Sequence, residues 1–281
     1  MPFLAKKLED RNMITFAIAL TVGAGVGLAL GLTDTCGYGW STFFGVLAFG
    51  VAQGVGGFLV QRKVKAAMAR IQAILQAGQK QMQAKVARWQ TRPPGSLQAA
   101  QAEMARDQKA FVMEALAATE TLHRFDLWVP MMKRQIATAQ FQLHWTIGEF
   151  KAVDALMPKA LFFDPTMSAM KMARLQMLDA PLEEIEKVYT KAVRRLRYNQ
   201  NVLLAATWSW ILLKRGDADA AFKALNHALE KSDNEVLKAN REQLANNRLA
   251  HFSNAGLGEQ WYALRLEEPR YSQPRPHMKR W

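Results

Sequence analysis

An all-α fold that begins in a membrane is the class this sequence predicts, and three observations carry the prediction. Met13 to Leu32 runs 20 residues without a charge, and Trp40 to Val60 gives 21 more in which only Gln53 is strongly polar. Beyond residue 96 no alternating apolar and polar run of strand type stands out. Ala, Leu, Met, Lys, Glu and Gln dominate there, the residues that suit helices.

The two apolar segments, 13–32 and 40–60, form the first expected unit, a transmembrane helical hairpin over 1–61. At about 1.5 Å per residue each can cross a hydrocarbon layer of about 30 Å. Lys6, Lys7 and Arg11 flank the first span and Arg62, Lys63 and Lys65 the second, whereas the loop 33–39 has no positive charge. The positive-inside rule then places both termini in the cytoplasm, with a bacterial inner membrane as the expected location. A cleaved signal peptide fits less well, because the first apolar run is too long and a second follows at once. Gly23, Gly27 and Gly31 recur every four residues in the first span, and Gly50 and Gly54 do so in the second. Glycines at that spacing let helix backbones approach, either within the hairpin or between two copies of it. Neither span carries an ionisable residue, which argues against a channel.

The next segment, 62–92, holds eight Lys/Arg and no acid. Net charge is +13, yet 93–268 holds 22 basic against 21 acidic residues, so the excess sits in this helix and in the tail 269–281. Without a nucleic-acid module, charge placed beside a span points to anionic lipid or topology and away from nucleic acid. Val64, Met68, Ile71, Leu75, Gly78, Met82, Val86 and Trp89 form a seam of near-heptad spacing. Three readings are open: an upright stalk, a helix lying on lipid through Arg62, Lys63, Lys65 and Arg70, or a seam packed on the domain. Met and Gly make a weak zipper, which favours lipid or domain contact over a free stalk. Arg92-Pro93-Pro94-Gly95 ends the helix, and Ser96 can cap the next.

A helical domain is expected over 93–268, followed by a disordered basic tail. Within it Gly148-Glu149-Phe150, then Ala160, then Asp164-Pro165 mark a helix, a turn, a helix and a stop. Asp179-Ala180-Pro181 with Ala192, and Gly216-Asp217-Ala218 with Ala228, repeat the frame. Ala160, Ala192 and Ala228 fall 32 and 36 residues apart. Small residues at such positions let neighbouring helices nest into a shared core.

Over residues 131–233 this frame resembles the tetratricopeptide repeat, whose period is about 34 residues. The second unit departs from it, with Ala180 at the turn glycine and Arg197 at the terminal proline. The two-span start followed by helical repeats is similar in layout to HemY-like membrane proteins, a likeness of architecture from which no activity is carried over. The resemblance implies a TPR-like α-solenoid whose concave groove is lined by Gln142, Trp145, Met170, Arg174, Met177, Trp210 and Lys214. Such a groove would take a protein partner through a peptide with apolar and acidic groups.

No catalytic constellation, metal-ligand spacing or cofactor motif is found: the five histidines are scattered, and Cys36 is alone in the loop between the spans. The expected function is a membrane-anchored docking scaffold and not an enzyme. The alternatives are an oligomeric or membrane-shaping protein driven by the hairpin, and an accessory enzyme subunit.

Overall fold

The computed structural model describes residues 13–33, 37–92, 95–129 and 131–269. The flanking charges Lys6, Lys7 and Arg11, the loop residue Cys36 and the tail beyond Pro269 lie outside the described residues. Those described form an all-helical protein without strands. They fall into two compact units, residues 1–161 and 162–281. The division therefore lies inside the stretch 131–233 expected to be one repeat array.

In the first unit α1 (Met13–Leu32) and α2 (Tyr38–Thr91) pack antiparallel. Both are long and apolar enough to cross a membrane. No break separates the second apolar segment from the basic segment, which together make one helix of 54 residues. Between 58 and 66 no Pro, Gly or capping side chain interrupts it, and Leu59, Gln61, Arg62, Lys63, Lys65 and Ala66 propagate helix.

α3 (Leu97–Glu120) starts where expected, with the Ser96 hydroxyl accepting the Ala99 N–H at 3.1 Å. It runs back along α2, with Phe111 over Gly78, and Lys85 bonded to both Glu103 (2.7 Å) and Asp107. These carboxylates raise the Lys85 pKa above its ordinary value. The seam reading of 62–92 is thus the one realised: Ile71 is buried, and Val64, Met68 and Leu75 pack on the same cluster as Val112, Leu116 and Leu122. A 3-10 turn (Thr121–Phe125) leads to α4 (Met132–Ile147) and the short α5 (Phe150–Leu156). The helical hairpin α4–α5 turns at Gly148, whose φ of 73° suits a residue without a Cβ.

The second unit repeats such pairs. α6 (Pro165–Met177) and α7 (Leu182–Val193) come first, then α8 (Val202–Lys214) and α9 (Ala218–Leu229), then α10 (Glu235–Ala245) and the short α11 (Glu259–Tyr262). Pro165 does not close a helix but opens α6 at its first turn, behind the Asp164 carboxylate that accepts the Thr166 and Met167 N–H groups. At the second turn the left-handed residue is Asp179 (φ 54°), which takes over from the glycine used at Gly216. Asp217 and Asn234 cap α9 and α10. Tyr189 stacks on Trp208 at 5.5 Å, and burial pushes its phenol up to about 12.

Ala160, Ala192 and Ala228 are all buried, and Ala228 is 1 % exposed. Replacing Ala228 with Leu should overpack the unit and cost about 1–3 kcal/mol, read as a lower melting temperature of the detergent-solubilised protein. An unchanged melt would mean that the helix does not nest there.

Candidate functional site

Three surfaces contain the residues that the sequence singles out. The first is the α1–α2 hairpin. A Cβ on Gly23 would come within 2.8 Å of the Gly45 carbonyl and of Phe49 Cβ, while one on Gly27 would lie 3.4 Å from the Ser41 carbonyl. Gly31 approaches Ser41 at 4.0 Å. Gly23 and Gly27 of the first span therefore face α2. Gly50 and Gly54 of the second span do not face α1: each is exposed, with nothing within 4 Å of the Cβ position. The close approach on the second span is made by Gly45, whose own Cβ would lie 2.9 Å from the Gly23 carbonyl. Phe16 closes edge-to-face on Phe49 at 5.5 Å.

The hairpin's other faces are apolar and uncovered. Of the 24 large hydrophobic side chains exposed among the described residues, 16 lie between Phe16 and Leu59. Tyr38, Trp40, Phe43 and Phe44 gather at the loop end, with ring centroids 5.7–6.1 Å apart among the last three. On the opposite side Arg62, Lys63, Lys65 and Arg70 are all exposed. Lys85 is held by its two carboxylates.

The second surface is a cavity of about 550 Å³ between α2, α3 and α4. Its floor is Met68, Ile71, Leu75, Met82, Phe111 and Leu143. Its rim is Gln72, Gln79, Gln108 and Gln142, with Thr146, and none of its lining residues is charged. Gln142, a groove residue of the sequence reading, lines this cavity. Trp145, three residues on, is 2 % exposed, stacked on Phe141 at 6.0 Å and edge-on to Phe150 at 5.6 Å. It is core, and its role as a surface anchor is withdrawn.

The third surface is in the second unit. Met170, Arg174 and Met177 lie half-buried on α6. Lys214 is exposed at the end of α8, its ammonium 5.2 Å from the centroid of the Trp210 ring. Trp210 itself is 8 % exposed, crosses Trp261 at 5.9 Å, and donates its indole N–H to Glu267 at 2.7 Å. Trp261 donates to the other oxygen of the same carboxylate at 2.9 Å. Trp210 is therefore sealed by the chain's own C-terminal segment and cannot be an open peptide anchor. Glu267 was missed in the sequence, since an acid in the run Glu267-Glu268-Pro269 gives no signal of two indole partners 6 and 57 residues away.

Among the described residues no group of three or more His, Cys, Asp or Glu could hold a metal ion. His144 faces Glu149 at 3.0 Å, and Lys109 reaches the same carboxylate at 3.0 Å, which lowers its pKa. Burial lowers the pKa of Lys171, whose ammonium lies over the Phe162 ring at 4.8 Å.

No protein-family model matches the chain, and neither a curated protein nor a solved structure is detectably similar to it.

Proposed function

We propose that this is an integral membrane protein, anchored by the 13–60 hairpin, whose helical units form a docking platform for a protein partner. The observation that carries the reading is the uncovered apolar surface between Phe16 and Leu59, continuous by one helix with a folded bundle. In water such a patch would be far larger than the few hundred Å² that soluble proteins expose; in lipid it has its solvent. The basic residues after Val60 support a cytoplasmic placement of both termini, in a bacterial inner membrane. The consecutive helix pairs with buried alanines support the tetratricopeptide-like reading of the repeats, and with it a HemY-like layout without any assigned activity.

The docking surface of this reading is the uncharged cavity rimmed by the four glutamines. A partner carrying net charge would lose hydration there without gaining a counter-ion, so an apolar, uncharged helical segment is the ligand that fits. Methionines on its floor can re-pack around such a helix.

Two measurements test the reading. A periplasm-active reporter fused after Gly37 should give signal and one fused after Trp281 should not; an active C-terminal fusion would overturn the topology. A photo-crosslinker at Gln79 or Gln142 should trap a protein in cells, and the pair Gln79→Glu and Gln142→Glu should lower that yield several-fold without changing the melt. Equal trapping from Lys214 and none from the glutamines would move the docking surface to the second unit.

A second reading, self-association of hairpins, is favoured by Gly50 and Gly54, which lie four apart on an open face of the second span. Gly50→Leu should then reduce chemical cross-linking between copies while leaving the hairpin itself intact.

A further inference from the structure

The turn between α3 and α4 is used neither by the hairpin packing nor by the glutamine-rimmed cavity. Its height along α2 is set by the antiparallel register. Lys85 meets Glu103 and Asp107, and Gly78 meets Phe111. The same register carries Leu122 and Phe125 down beside Val64 and Met68, which pack on the cluster that buries them. Val129 and Val60, the last apolar residue of the second span, both pack on that cluster too. Residue 64 is only about 6 Å along the helix axis from residue 60. The headgroup layer of a bilayer is about 5–8 Å deep on each side. With Val60 at the hydrocarbon boundary, the turn after Phe125 therefore lies at headgroup depth.

What the turn presents suits that depth. Leu127 is 64 % exposed and Met131 39 %, with Trp128 half-buried between them. Arg124, Lys133 and Arg134 are exposed around these residues, and Arg62, Lys63 and Lys65 are exposed on the part of α2 that carries Val60 and Val64. Of the two acids nearby, Asp126 faces His123 through one oxygen at 3.0 Å while its other oxygen is buried away from the surface, and Glu120 accepts from the Gln140 amide at 2.9 Å. Apolar and aromatic side chains ringed by cations favour an anionic interface, where the rings leave water and the cations meet phosphate.

Resting on the reading of 13–60 as a membrane hairpin, we propose that residues 124–129 and 131–134 are a second membrane contact. Leu127, Trp128 and Met131 enter the headgroup layer, and anionic phospholipid headgroups are held between Arg124, Lys133 and Arg134 on one side and Arg62, Lys63 and Lys65 on the other. The bundle is thereby held to the surface at two places and not by the long helix alone.

The test uses the full chain with Cys36→Ser, reconstituted in nanodiscs of phosphatidylcholine and phosphatidylglycerol that contain a headgroup-proximal spin-labelled lipid. An environment-sensitive fluorophore is placed at Leu127→Cys, with Val46→Cys on the outer face of the second span and Ala99→Cys at the far end of α3 as references. The proposal expects a blue-shifted, quenched signal at 127 and at 46 and a water-like, unquenched one at 99. It also expects weaker quenching at 127 when phosphatidylglycerol is left out. A water-like signal at 127 with quenching at 46 overturns the second contact and leaves the hairpin reading standing. Unquenched labels at both 127 and 46 overturn both. Equal quenching at 127 with and without phosphatidylglycerol overturns the anionic-headgroup part.

Discussion

Truncating Trp210 to Ala is expected to destabilise the second unit by about 3–5 kcal/mol, the cost of emptying a buried indole site. The sequence alone left Trp210 open as a groove anchor or as a core residue. Trp210 packs on Trp261 and shares the Glu267 carboxylate with it, so its removal opens a cavity and also unseats the chain end that covers it. Glu267→Ala should act in the same direction by leaving two indole donors without an acceptor, at about 1–3 kcal/mol each. Thermal unfolding of both variants in detergent is the measurement. If Trp210→Ala melts normally and partner cross-linking disappears, the indole is an anchor after all.

Gly78→Leu should be nearly as damaging in the first unit. A Cβ there would lie 2.5 Å from Phe111 Cγ and 3.0 Å from its Cβ, so the ring cannot swing clear without a shift of α3. Separating α2 from α3 also strains the Lys85 ion pairs one to two turns further on. A loss of about 3 kcal/mol is expected, at the upper end of overpacking costs. Faster proteolysis between residues 92 and 97 should accompany it, and Gly56→Leu, with open space at its Cβ, is the matched control. Equal protease resistance in the two variants would show that the α2–α3 contact is not what orders the bundle.

Much of the fold was legible because its signals are local. Hydrophobic run length gave α1 to the residue, Ser96 announced the start of α3, and Gly148 and Gly216 marked turns that need a left-handed residue. The seam on 62–92 was legible too, from spacing alone. What it packs against was not, because Phe111 and the acids Glu103 and Asp107 are partners at long range, fixed by the register of a returning helix. The second-span glycines failed for a related reason: periodicity finds a face but not the neighbour that faces it. The candidate groove suffered most. An exposed anchor and a core tryptophan have the same sequence signature, and Trp145 and Trp210 both proved to be core.

The unbroken 54-residue helix has a mechanical consequence. With the hairpin in a bilayer, the part of α2 beyond Val60 is a lever arm of about 46 Å. Spans tilt to match the thickness of the hydrocarbon they cross, and a change of about 10° would swing the far end of that arm sideways by about 8 Å. Because no hinge interrupts the arm, bilayer thickness becomes a quantity the first bundle registers as displacement, in the manner of a gauge needle.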